Sequence, residues 1–231
     1  MLKHMKLLVT LVLLLATATA GGASTPTKPV RIMPVGDSIT EGGKTFSTYR
    51  YPLFQKLTAA GYRVEFVGSR KSDSPAGPLA HEGYGGKNAE FLATVLGKSF
   101  ADHPADIVLI HAGHNHFIDE KPVDGIVAAT ETMIATVRKA NPKVVVMLAQ
   151  VIPSGKLPKY SYIPALNEKL AALAKRLHTA EQPVVIVDQA TGFDWEKDTI
   201  ADKVHPNAAG AEKMAARWYA AISKQLGPAA K

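Results

Sequence analysis

The sequence predicts an α/β protein: a three-layer α/β/α sandwich, flavodoxin-like, around a five-stranded parallel sheet. Two observations predict it. Residues 106–111 and 143–148 are nearly continuous apolar runs of strand length, as in strands buried on both faces. Between such runs lie longer stretches with apolar residues at helical spacing, such as Leu166, Leu170, Leu173 and Leu177 within 162–177. Buried strands alternating with amphipathic helices give a parallel sheet covered on both faces.

In chain order, the first strand is 30–35, followed by a turn holding an acid and a serine, Gly36-Asp37-Ser38. Residues 47–60 carry Leu53, Phe54 and Leu57 on one helical face and close at Gly61. Residues 63–67 alternate polar and apolar, a strand of period two. The Ser-, Pro- and Gly-rich stretch 69–78 and the stretch 81–86 read as loops. A helix over 88–96 is capped by Asn88 and ended by Gly97. Strands at 106–111, 143–148 and 184–187 alternate with helices at 124–140, 162–177 and 208–226. Arg50 reads as a charge on the exposed face of its helix.

The chain of 231 residues suits one sizeable domain, assigned to 30–231. Lys3 and Lys6 precede an apolar run, 7–15, and then Ala16, Ala18 and Ala20. This is the pattern of a secretory signal peptide over 1–20, with 21–29 as a small polar tail. The run is shorter than the roughly 20 residues that span a bilayer, so stable membrane association after cleavage is not expected. A secreted or periplasmic location follows. Cysteine is absent, which excludes disulfides and thiolate chemistry. The formal charge of +7 falls to +5 without Lys3 and Lys6. The basic residues are scattered and form no long run, which argues against a nucleic-acid partner.

Three segments fall at or after the carboxyl ends of strands, where open α/β sheets gather their sites: Gly36-Asp37-Ser38, Gly113-His114-Asn115-His116 and Asp202-Lys203-Val204-His205. A hydroxyl becomes a nucleophile when a base removes its proton, and histidine is the usual base near neutral pH. Asp202 can orient His205 from three residues upstream. A developing oxyanion needs fixed donors, which Asn115 and the glycine-rich run Gly83-Tyr84-Gly85-Gly86 can supply.

With these residues the chain resembles the SGNH subset of the GDSL esterases and lipases. Gly36-Asp37-Ser38-Ile39 is similar to the block carrying the nucleophile, and His81-Glu82-Gly83-Tyr84-Gly85-Gly86 to the second block. Gly113-His114-Asn115-His116 resembles the third, and Asp202-Lys203-Val204-His205 the D-x-x-H block. The resemblance implies a catalytic triad of Ser38, Asp202 and His205, with an oxyanion hole from Ser38, Gly86 and Asn115. Asp37, Tyr84, His114 and Phe117 are assigned to substrate contact. One departure stands out: His116 occupies the place where the third block usually has Asp. The stretch 36–40, with Tyr49-Arg50, Gly61-Tyr62-Arg63-Val64 and His81-Glu82-Gly83, most resembles carbohydrate esterase family 3, the acetyl xylan esterases and their relatives.

Two other readings are weaker. His111, His114 and His116 invite a zinc site, but no carboxylate–histidine pattern such as H-E-x-x-H accompanies them, and no metal is assigned. Gly43-Lys44-Thr45 would need glycine at position 38 to complete a phosphate-binding loop, and that position is Ser38. The expected activity is hydrolysis of acetyl or other short acyl esters, on a small ester or acetylated carbohydrate, without a cofactor. The alternatives are a lipolytic esterase or thioesterase for longer acyl chains, and a non-catalytic carbohydrate-binding protein on the same scaffold.

Overall fold

The computed structural model describes residues 28–229, so the expected leader and most of the expected tail lie outside the described residues. The strands are β1 (Val30–Gly36), β2 (Val64–Phe66), β3 (Arg70–Ser72), β4 (Leu79–Gly83), β5 (Ile107–His111), β6 (Val145–Gln150) and β7 (Val184–Asp188). The helices are α1 (Ser38–Glu41), α2 (Arg50–Ala59), α3 (Ala89–Asp102), α4 (Val123–Ala140), α5 (Ile163–Leu177), α6 (Trp195–Asp198) and α7 (Ala208–Leu226). A 3-10 turn spans Ile118–Glu120.

The sheet is mostly parallel and flanked by helices, with order β3-β4-β1-β5-β6-β7 and β2 also paired to β1. Strand β1 shares one edge between two partners. Its first half pairs β2 (Ile32 with Phe66) and its end pairs β4 (Gly36 with Gly83). Without β3 and β4 the order is the expected flavodoxin-like one.

The five-stranded, all-parallel expectation is corrected here. Among the described residues the sheet has seven strands, and β3 runs antiparallel to β4. Residues expected as loops form both extra strands. Strand β4 is buried along its length yet reads Leu-Ala-His-Glu-Gly, with two polar residues at its centre. Each is satisfied inside. The His81 Nδ1 accepts from the Gly83 N–H at 2.9 Å, so its Nε2–H is left to donate to Ser72 Oγ at 2.8 Å. Glu82 accepts from the Ser69 N–H and from the Tyr84 hydroxyl at 2.9 Å. Polar partners, rather than hydrophobic pattern, put this strand in the sheet.

Helices α3, α4 and α5 cover one face through Leu92, Leu96, Met133, Ile134, Leu166 and Leu170. Helices α1, α2 and α7 cover the other through Ile39, Leu53, Leu57, Met214 and Trp218. Asn88 caps α3 as expected, its Oδ1 accepting from the Phe91 N–H at 3.0 Å. That helix does not stop at Gly97 but runs on to Asp102. Gly97 serves a close approach instead, because a Cβ there would sit 3.3 Å from Thr136 of α4.

Arg50 is a second correction. It is not an exposed helix-face charge but is 2% exposed, with its guanidinium folded against the end of α1. It donates to the carbonyls of Thr40 (2.7 Å), Glu41 (2.8 Å) and Leu79 (3.0 Å). Burial lowers its pKa to about 10, which leaves it charged at neutral pH. A helix as short as α1 has little intrinsic stability, so this rigid fork fixes where α1 lies. Arg50→Met is expected to destabilise the fold by about 3 kcal/mol, because three carbonyls each lose a charged donor at once. Urea denaturation checks this, and a midpoint equal to wild type would contradict it.

Candidate active site

Ser38 is the first residue of α1, directly beyond β1. Two close approaches set it there. A Cβ on Gly36 would lie 2.4 Å from the His111 carbonyl, and one on Gly83 would lie 2.4 Å from the Glu41 nitrogen. Only glycine lets α1 settle onto the ends of β1, β4 and β5. Asp37 caps the helix, its Oδ1 accepting from the Ile39 N–H at 2.9 Å. As the first helical residue, Ser38 presents one of the N–H groups that a helix leaves without an internal partner.

Asp202 and His205 come from the loop between α6 and α7, which is braced on every side. The Asn207 side-chain oxygen caps α7 at the Gly210 N–H (3.0 Å), and its amide nitrogen donates to the Lys197 carbonyl at 2.7 Å. The Ile200 N–H donates to the His205 carbonyl at 2.9 Å. This loop brings His205 Nε2 to 2.8 Å from Ser38 Oγ. His205 Nδ1 lies 2.5 Å from Asp202 Oδ2. The other Asp202 oxygen accepts from the N–H groups of Val204 (2.9 Å) and His205 (3.0 Å).

A carboxylate only accepts, so the ring proton belongs on Nδ1 and the Nε2 lone pair faces the serine hydroxyl. Partial burial pushes the Asp202 carboxyl up, but hydrogen bonds from the His205 ring and from backbone N–H groups outweigh it. The group therefore sits below the ordinary carboxylate range. Phe46 stacks on the His205 ring, with centroids 4.1 Å apart and planes 26° apart. Nothing in the loop of Phe46 marks this contact in the sequence, because its histidine partner is so distant in the chain.

Residues Tyr84 to Lys87 form a turn closed by the Lys87 N–H on the Tyr84 carbonyl at 3.1 Å, with Gly86 at φ +74°. A Cβ on Gly85 would come within 3.8 Å of Ser38 Cβ, which places this turn beside the serine. Asn115 has φ +69°, a left-handed conformation that Asn tolerates better than most residues. Its Nδ2 donates to the Lys87 carbonyl at 2.9 Å, joining the two loops. An amide nitrogen carries two protons, so one remains for another acceptor.

Asp37 and His114 do not present themselves to a substrate. Both are buried, at 1% and 2% exposure. The Asp37 Oδ2 and His114 Nδ1 face each other at 3.8 Å, and neither has a hydrogen-bond partner among the described residues. Burial raises Asp37 to about 6 against the cap bond and the pull of His205. Burial lowers His114 to about 3, aided by the neighbouring His111 and His205. Of the other two histidines, buried His111 accepts from the Ile152 N–H at 3.3 Å. His116 bridges Glu120 (2.8 Å) and Glu90 (2.9 Å), tying the loop of Asn115 to α3 and to the 3-10 turn. Tyr84 is half-buried, its hydroxyl held by Glu82 and its ring under the Arg70 guanidinium at 4.8 Å. Phe117 is 56% exposed, with the Lys159 ammonium 4.2 Å over its ring.

A half-buried serine, a histidine whose free nitrogen faces it and a carboxylate behind that histidine form an arrangement in which a hydroxyl can be activated as a nucleophile. Comparison with known proteins narrows the class. Residues 35–213 match the model of the GDSL-like Lipase/Acylhydrolase family, and the chain belongs to that family of ester hydrolases. It is similar to a multidomain esterase of Ruminococcus flavefaciens, 28% identical across 85% of this chain but only 29% of that protein. The chain thus spans less than a third of that relative's length. Among solved structures, a carbohydrate esterase family 3 protein from Talaromyces cellulolyticus superposes with a TM-score of 0.76 at 29% identity. That match covers 85% of this chain and 98% of the other. An acetyl esterase mutant with a serine replaced by alanine, crystallised with an acetate ion, gives a TM-score of 0.75 at 28% identity. It covers the same shares of the two chains.

Proposed function

We propose that the protein removes acetyl or other short acyl groups from carbohydrate by a Ser-His-Asp acyl-enzyme mechanism. The observation that carries the mechanism is the unbroken chain Ser38–His205–Asp202, at 2.8 and 2.5 Å. His205 takes the Ser38 proton as Oγ attacks the ester carbonyl. The oxyanion is received by the N–H groups of Ser38 and Gly86 and by the Asn115 amide. His205 then returns the proton to the departing alcohol. A water molecule, deprotonated by the same histidine, cleaves the acyl-serine and releases the acid and free Ser38.

Two features support a short acyl group on a sugar. Asp202 and His205 keep 38% and 22% of their side chains exposed, which suits an ester projecting from a larger polar molecule. Beyond Phe46 opens a cleft of about 660 Å3 whose walls include Glu41, Tyr51, Asp73, Ser74 and Glu212. Carboxylates, hydroxyls and an aromatic ring are the groups with which a glycan is held. Ser38 does not line this cleft, so it would take the carbohydrate and not the ester carbonyl. The carbohydrate esterase family 3 and acetyl esterase likenesses point the same way. The leader pattern over 1–20 supports export.

The test is hydrolysis of 4-nitrophenyl acetate against 4-nitrophenyl octanoate, followed by acetate release from acetylated xylan. The expected result is a kcat/KM for acetate at least about tenfold above octanoate, a modest pocket discrimination. Octanoate preference would favour the lipolytic reading. Polysaccharide binding without turnover of either ester would favour a binding role.

A further inference from the structure

We infer that Glu41 is a positioning residue for the oxyanion hole, holding the Gly85–Gly86 turn against the helix that carries Ser38; this rests on the serine mechanism proposed above. Glu41 is the last residue of α1, which begins at Ser38. Its Oε2 accepts from the Gly85 N–H at 2.6 Å, and its Oε1 is paired with the Arg70 guanidinium of β3. Its backbone carbonyl accepts from Arg50 at 2.8 Å and from Ser72 Oγ at 3.0 Å.

The turn it holds is kept in place by hydrogen bonds and not by packing. Gly85 and Gly86 are exposed, and among the described residues no atom beyond the chain neighbours lies within 4 Å of a Cβ on Gly86, so no side chain of theirs packs there to restrain it. Two consecutive glycines are the most freely rotating pair a chain can have. The direction of the Gly86 N–H depends on the torsions around Gly85. Three bonds anchor the turn to its surroundings. The Tyr84 N–H donates to the Gly36 carbonyl at 2.9 Å, and Asn115 donates to the Lys87 carbonyl. The third, from Gly85 to Glu41, is the anchor next to the peptide whose N–H must meet the oxyanion. An oxyanion donor displaced by an ångström loses most of its value, because its benefit comes from being in place before charge develops.

The test uses the full chain and 4-nitrophenyl acetate. Glu41→Ala is expected to lower kcat by about 30- to 100-fold with KM within about twofold, the signature of an interaction made in the transition state. The inhibition constant for phenylboronic acid, which forms a tetrahedral adduct on an active serine, should rise by the same factor. Glu41→Gln keeps an acceptor oxygen at the same reach and should stay within about fivefold of wild type. Glu41→Asp keeps the charge but is a methylene shorter, and it should follow Ala. The Asp variant decides the matter if circular dichroism shows that Ala does not fold. Wild-type kcat in Glu41→Asp, or Glu41→Gln as impaired as Glu41→Ala, would overturn the inference. Ser38→Ala separates the two levels. If it keeps turnover, the serine mechanism itself falls; if it is inactive while Glu41→Asp is not, only the role of Glu41 falls.

Discussion

Ser38→Ala is expected to lower kcat for 4-nitrophenyl acetate by about 10^4- to 10^6-fold while leaving the fold untouched. The size follows from the order of events. Without Oγ no acyl-enzyme forms, and what remains is water attacking an ester held by the oxyanion donors. Stability should change by less than about 0.5 kcal/mol, because Oγ is half-buried and its partner is the partly exposed His205. His205 keeps its hydrogen bond to Asp202 and its contact with Phe46 in the variant, so the ring has no reason to move. Single-turnover assays and thermal melts of both proteins check the two halves. Equal turnover in both would remove Ser38 from the mechanism and send attention to the histidines around Asn115.

Much of this site was legible because its parts are compact in sequence. Gly36-Asp37-Ser38 follows an apolar run, and Asp202 lies three residues before His205 in a single loop. The long-range step, from Ser38 to His205 across most of the chain, was carried by strand topology: both segments follow the carboxyl ends of parallel strands. The buried strands and amphipathic helices were equally readable, since their apolar residues have a period. What was not readable has no period. Strand β4 hides His81 and Glu82 inside by giving each a specific partner from β3, from the loop before it or from the residues that follow. Arg50 looks like any helix cation until the carbonyls of Thr40, Glu41 and Leu79 are seen around it. Asp37 and His114 stand beside Ser38 and Asn115 in sequence, and on that placement they were assigned to substrate contact. The chain turns both inward: Asp37 because a cap residue points back to its helix, and His114 against the rings of His111 and Tyr160.

The second large effect is on stability in acid, and three of these inward-turned histidines produce it. His81, His111 and His114 are buried in neutral form, with pKa values lowered to about 3, 4 and 3. Burial is the main cause in each, joined at His81 by the charges of Arg50 and Arg70. Unfolded, each would titrate near 6.5. Below that pH the unfolded chain gains three protons that the native state refuses, so stability falls as pH falls. Asp37 works in the other direction. With its native pKa raised to about 6 against 3.8, the folded protein holds a proton that the unfolded chain releases. The net difference between pH 6 and pH 4 is then two protons, a slope of about 3 kcal/mol per pH unit. Over that interval the loss rivals the entire stability of an ordinary domain, about 5–15 kcal/mol. The urea midpoint is therefore expected to hold steady above pH 7 and to drop steeply below pH 6, with spontaneous unfolding between pH 4 and 5. His114→Leu removes one of the three groups and should flatten the slope by about 1.4 kcal/mol per pH unit. A midpoint that stays level from pH 7 to pH 5 would mean that these rings find proton partners inside the native fold. The unpaired nitrogens of His111 and His114 argue against that.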